Sequence, residues 1–139
     1  MQKLRPRSPY EKLGGYVHLP RLIDKARLHR KGLLNGYNYK TVGFDKHLLA
    51  FLKLDGDEFE TVANQFDNDD DVLRWVEKSA AKHSTEEIEH WNGEMISRHP
   101  DTAAKRARFV HFLKEAGGEG RKDIKTYFDL IEFDEGRLK

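Results

Sequence analysis

The sequence predicts an all-α fold: a compact single domain over residues 1–139, made of about seven short helices, with a short extended connector near residues 36–43. Three observations support this reading. Apolar residues recur at helical spacing along most of the chain. Cap residues and prolines stand just before those stripes, with glycines just after them. The stretch with β-branched and aromatic bias, Gly-Tyr-Asn-Tyr-Lys-Thr-Val-Gly at 36–43, is short and lies between glycines.

Each element follows in order. Ser8-Pro9-Tyr10-Glu11 has the pattern of a capping box with proline at the first helical position, and Gly14-Gly15 ends that short turn. Pro20 opens the next helix, where Leu19, Leu22, Ile23 and Ala26 form one stripe before Gly32. After the connector, Phe44, Leu48, Phe51 and Leu52 share a face, as do Phe59, Val62, Ala63 and Phe66, then Val72, Trp75, Val76 and Ala80. Ser84 with Glu87 makes a second capping box ahead of Ile88, Trp91, Met95 and Ile96. Pro100-Asp101 separates that helix from one running through Ala103, Ala107, Val110 and Leu113 to Gly117-Gly118. Ile124, Tyr127, Phe128 and Ile131 line a final helix that ends near Gly136.

A chain of 139 residues is the size of one ordinary domain. Hydrophobic residues are 37% and charged residues 35%, so the core has to come from narrow stripes under a charged exterior. There is no apolar run of transmembrane length and no apolar signal core. The absence of cysteine excludes disulfides and thiolate chemistry and points to a cytoplasmic protein. The net charge of +1 conceals an asymmetry: residues 1–40 carry 10 Lys and Arg against 2 Asp and Glu, whereas residues 41–139 carry 15 against 22. Such polarity fits two oppositely charged parts that neutralise each other within one fold, or a basic face for an anionic partner.

Few motifs carry chemistry. Glu87-x-x-His90 has the spacing used in carboxylate-bridged metal bundles, but no second pair accompanies it, so neither a metal nor any other cofactor is expected. Asp67-Asn68-Asp69-Asp70-Asp71 starts like a calcium loop, yet Val72 and Lys78 stand where glycine and glutamate are needed. These acids read as caps of the following helix. No nucleophile elbow, P-loop or dinucleotide fingerprint is present.

Two features resist a purely structural reading. Asn92 falls within the apolar stripe of its helix, where an unpartnered amide would cost about 1–3 kcal/mol. The final helix crowds Asp129, Glu132, Asp134 and Glu135 toward its C-terminus, already the negative end of the dipole. Arg137 is one local answer. Arg21 and Arg27 flank Asp24 at three-residue spacing, so Asp24 could hold both guanidinium groups while their free edges meet the acids of residues 129–135. The candidate binding seam is therefore Arg21, Asp24, Arg27, Trp91, Asn92, Tyr127, Asp129, Asp134 and Arg137.

Three blocks, PRSPYEKLGGYVHLPRLIDKAR, EIEHWN and TYFDLIEFDEGR, together resemble the bacterial family known as domain of unknown function 5069. The resemblance covers nearly the whole chain in the same order and is loose from Gly36 to Phe66. There the family often has a cysteine before its aspartate, where this chain has Val42-Gly43-Phe44-Asp45, so no role for that cysteine transfers. The resemblance implies one intact domain and supplies no activity, substrate or cofactor.

The leading function is a small binding or interaction domain for a small anionic ligand or an acidic peptide. The alternative is a small enzyme in the same seam, with Asp24 or Asp129 as base, Arg21 or Arg27 stabilising an anion and Tyr127 as acid. The third reading is nucleic-acid binding by the basic segment 1–31. Nucleic acid is disfavoured as a partner, and no membrane partner is expected.

Overall fold

A computed structural model describes residues 5–139, so the first four residues of the basic segment 1–31 lie outside it. Among the described residues the order is β1 (Lys12–Leu13), β2 (Tyr16–Val17), α1 (Leu19–Arg30), α2 (Gly43–Leu52), α3 (Gly56–Gln65), α4 (Asp69–Ser79), α5 (Thr85–Ser97), α6 (Ala103–Glu115) and α7 (Tyr127–Asp134). The fold is predominantly α-helical, with seven helices and one two-stranded hairpin. No helix among the described residues is long and apolar enough to cross a membrane.

The hairpin corrects the expectation of a short opening helix. Lys12 pairs with Val17 and Leu13 with Tyr16, antiparallel. Gly14 and Gly15 have φ of 60° and 89°, a two-residue turn whose left-handed backbone suits glycine. Ser8 does cap, but it caps a turn: its hydroxyl accepts from the amide of Tyr10 at 3.1 Å. Residues 36–42 form the expected connector, without helix or strand, and Gly43 opens α2.

The backbone divides into two compact units, one ending at Glu89 and one from His90 to Lys139, with the boundary inside α5. In the first, Leu19, Leu22, Ile23 and Ala26 of α1 are fully buried, as are Leu48, Leu52, Ala63 and Val72 from α2, α3 and α4. Pro20 supplies the pre-set φ of the first turn of α1, and Gly32 ends the helix with φ 72°. The amide of Leu33 bonds the carbonyl of Leu28 at 2.9 Å, closing that terminus. α1 lies against α3 closely enough for the Asn64 side chain to donate to the Ala26 carbonyl at 3.1 Å.

The second unit is built on Phe109, Leu113 and Ile124, with Tyr127, Leu130, Phe133 and Leu138 packed against them. Gly118 is needed there by contact. A Cβ at that position would lie 2.6 Å from Leu113 Cδ1 and 2.8 Å from Phe133 Cε2. Caps are supplied by Thr102 for α6 and Thr126 for α7, and the Ser84–Glu87 capping box is reciprocal at 2.9 and 3.1 Å.

Candidate functional site

One face of α1 carries His18, Arg21 and Lys25, at spacings of three and four residues, and all three are buried. The irregular connector after α1 folds back over this face. Its covering depends on Asp45, an acid in the apolar stripe Asp45, Leu48, Leu49 and Leu52 of α2. Asp45 is only 1% exposed, so its charge must be answered by donors in the protein. His18 Nε2 lies 2.6 Å from Oδ1, Lys25 Nζ 3.3 Å from each oxygen, and the amide of Lys40 3.2 Å from Oδ2. Lys25 also donates to the carbonyl of Asn38 at 2.8 Å.

These groups set each other's protonation. Burial pushes the His18 pKa down against the pull of Asp45, so the imidazole is neutral and Nε2–H donates to the carboxylate. Burial alone would push Asp45 up, but the hydrogen bond from His18 and the bond and charge of Lys25 hold it below the usual carboxylate range. The charged pair is therefore Lys25 with Asp45, and His18 completes the carboxylate's hydrogen bonding. His18 has φ 72° as the cap of α1, a left-handed conformation that is uncommon outside glycine and is held by this network.

A second hub sits on Glu60 of α3. The Tyr39 hydroxyl donates to Oε1 at 2.7 Å, His29 Nδ1 lies 2.6 Å from the same oxygen, and Lys40 Nζ is 3.8 Å away. Burial and then the bond to Glu60 raise the Tyr39 pKa well above that of a free phenol. Desolvation would raise Glu60, and Tyr39 and His29 more than offset it.

Lys40 joins the two hubs to the surface. It is left-handed at φ 60°, and its Nζ pairs with Asp57 at 2.6 Å. Beside it lies an open cleft of about 400 Å³, lined by Lys40 and Thr41, by Lys46, Leu49 and Ala50 of α2, and by residues 53–57 at the turn into α3. Lys53, which caps α2, is also left-handed at φ 55°. Lys46 and Lys53 have no carboxylate partner among the described residues. No three His, Asp or Glu side chains among these residues converge as a metal site requires.

The residues expected from sequence divide between the two units. In the first, the expectation that Asp24 holds Arg21 and Arg27 is corrected. Asp24 takes Arg7 through a fork of 2.9 and 3.0 Å and also accepts its amide at 2.8 Å. Arg21 turns instead to the Arg7 carbonyl at 3.0 Å and lies 5.7 Å from the centre of the Tyr37 ring. Arg27 answers the free carbonyls at the C-terminus of α3, donating to Ala63 at 3.0 Å and Phe66 at 2.9 Å, and pairs with Asp69 at 3.1 Å. Asp69 also takes Arg7 at 2.6 Å, so one carboxylate bridges two arginines. Burial would raise Asp69, and the two cations hold it low.

In the second unit, Trp91 and Asn92 are buried on α5, and the Tyr127 ring packs edge-on to Phe109 at 5.7 Å. Asp129 is half-buried, its amide capped by Thr126 at 3.2 Å, and Asp134 is exposed. Arg137 answers two acids of the last turn, Glu132 at 3.1 Å and Glu135 at 2.7 Å.

The chain matches the model of a family described as a domain of unknown function, DUF5069, over residues 3–137. The chain belongs to this family. No curated protein matches it in sequence. Within this DUF5069 chain, sequence reasoning passed over His18, Lys25, Asp45 and Glu60. Two signals mark the first three: the His-x-x-Arg-x-x-x-Lys ridge of α1, and an aspartate at a position where the α2 stripe calls for an apolar residue; neither marks Glu60.

Proposed function

We propose that the protein is a small non-catalytic binding domain that takes an anionic ligand in the cleft between Lys40, α2 and the start of α3. The observation that carries this is that three lysines, Lys40, Lys46 and Lys53, line one open cleft of about 400 Å³ against two acids, Asp55 and Asp57, and that Lys46 and Lys53 have no carboxylate partner among the described residues. A cleft of this size suits a small molecule. Leu49, Ala50 and Leu54 offer it an apolar floor, so carboxylate or phosphate groups on a compact apolar body, or a short acidic peptide, complement the lining. Left-handed residues at two points of the rim, Lys40 and Lys53, add support, because such strain persists where its surroundings enforce it.

Binding is favoured over catalysis because Asp45, Asp57, Glu60, Asp69, Glu87, Asp101 and Asp123 are all displaced downward. A proton-abstracting base needs the opposite. Binding here is favoured over nucleic-acid binding by the N-terminal segment because Arg7, Lys25 and Arg27 are engaged with acids of their own unit. The reading places the protein in the bacterial cytoplasm, supported by a chain without cysteine, and cell fractionation would check it.

The test is an NMR titration of the ¹⁵N-labelled chain with citrate and with inorganic pyrophosphate. Shifts are expected at the amides of residues 40–57 and should vanish in Lys46→Ala/Lys53→Ala. If neither probe moves those amides at millimolar concentration, or if the double variant responds like the parent, the reading fails.

A further inference from the structure

The second unit carries a separate cationic surface. α6 buries only Phe109 and Leu113, and every other residue from Ala103 to Glu115 is exposed. The helix therefore stands on a narrow stripe with most of its circumference toward solvent. It bears Lys105, Arg106, Arg108 and Lys114, and its first acid is Glu115 in the last position. Lys105 and Lys114 face exposed acids, Asp101 at 3.2 Å and Glu119 at 3.7 Å. Arg106 and Arg108 have no carboxylate partner among the described residues.

At 3.6 residues per turn the cations fall on both flanks of the buried stripe. Lys105 and Arg108 lie on one flank and Arg106 and Lys114 on the other. The ridge between the flanks is Ala104, Ala107 and His111 with Glu115 at its C-terminal end, where His111 and Glu115 pair at 2.9 Å, so the ridge is low over its N-terminal half only. We propose that α6 docks in the major groove of duplex DNA. That groove, about 12 Å wide, admits one helix. The flanking cations would meet phosphates on its two walls, and the low half of the ridge would let the helix approach the base edges. Val110 and Phe112, 61% and 49% exposed, lie among the cations on the two flanks, Val110 between Arg106 and Lys114 and Phe112 between Arg108 and Lys105. An anionic membrane fits less well, since these two apolar side chains point about 160° apart around the helix rather than along one face. The deep, narrow major groove of duplex RNA would exclude the helix.

Fluorescence anisotropy of the full chain with a labelled DNA duplex of about two helical turns tests this. Four phosphate contacts predict an affinity that falls about 100-fold between about 50 and about 200 mM salt. Arg106→Ala/Arg108→Ala should weaken binding at least about tenfold at low salt and reduce the slope of log affinity on log salt by about 2. Ala107→Trp keeps the charge but raises the exposed ridge, so it should also weaken binding. Lys31→Ala/Lys78→Ala, which removes exposed cations of the first unit, should not. The proposal is overturned by no binding at low salt, by undiminished binding of the α6 arginine variant or of Ala107→Trp, or by equal affinity for duplex RNA or anionic vesicles.

Discussion

His18 and Asp45, 27 residues apart in sequence, meet through Nε2 and Oδ1 at 2.6 Å, and neither side chain is more than 2% exposed. Around this contact the connector after α1 is fastened at three successive residues, Asn38 through its carbonyl, Tyr39 through its hydroxyl and Lys40 through its amide. A segment without regular structure is thereby tied to α1, α2 and α3 through polar groups that find partners within the protein.

Removing the carboxylate should be severe. Asp45→Ala leaves the Lys25 ammonium buried without its counter-ion, and loss of one partner of a buried pair costs about 3–5 kcal/mol. Urea denaturation of the variant at neutral pH measures this. A loss under about 1 kcal/mol would mean that water reaches the cluster.

Acid should act in two stages, with signs fixed by the two groups. The His18 pKa is lowered in the folded state, so below about pH 6.5 the unfolded chain takes up a proton that the folded chain refuses, and stability falls. The Asp45 pKa is also lowered, so its contribution is complete above about pH 4 and disappears as pH drops through its folded value. Denaturation midpoints between pH 7 and pH 5 should therefore decline in the parent. In His18→Gln they should start lower and decline less.

Alkali should act through Tyr39. Its raised pKa means that above about pH 10 the unfolded chain loses a proton that the folded chain retains, so stability falls as pH rises. Tyr39→Phe should be less stable than the parent at neutral pH by about 1–3 kcal/mol, the worth of a hydrogen bond to a charged group. Its alkaline decline should be shallower, with Tyr16, also raised by burial, supplying what remains.

Arg27 should behave as a structural clamp. Arg27→Ala frees the carbonyls of Ala63 and Phe66 and removes one of two cations from Asp69, a loss of about 1–3 kcal/mol. Arg27→Lys should recover only part of it, because one ammonium cannot span three acceptors. A melting temperature unmoved by either substitution would contradict this role.

Two glycines separate steric demand from backbone demand. Gly118→Ala presses a methyl group onto Leu113 and Phe133 and should cost about 1–3 kcal/mol by overpacking. Gly32→Ala meets nothing within 4 Å but must hold φ 72°, a strain of about 1–2 kcal/mol. Gly32→Asn should restore part of that loss, because asparagine tolerates the left-handed region, whereas Gly118→Asn should restore nothing.

The helices were legible because each is a local event. Their stripes, the Ser84–Glu87 box and Gly32 act over four or five residues, and each stands where its spacing placed it. The opening hairpin was misread because Ser8-Pro9-Tyr10-Glu11 resembles a helix start, while Gly14-Gly15 between Lys12-Leu13 and Tyr16-Val17 is equally a two-residue turn. Partner choice was less legible. Asp24 has arginines three residues away on both sides, yet it takes Arg7, which the chain brings past α1 from 17 residues earlier. The choice depends on where the extended N-terminal segment runs, and helical spacing within α1 carries no trace of that.

Lys40 has a consequence for which residues its position can tolerate. Its main chain occupies a region friendly to glycine and asparagine, while its side chain must be long and cationic to reach Asp57. No other amino acid meets both requirements well, so saturation mutagenesis there should return two separate groups of partial substitutes. Glycine and asparagine would preserve the fold and lose the surface charge, and arginine would preserve the charge at the expense of the fit.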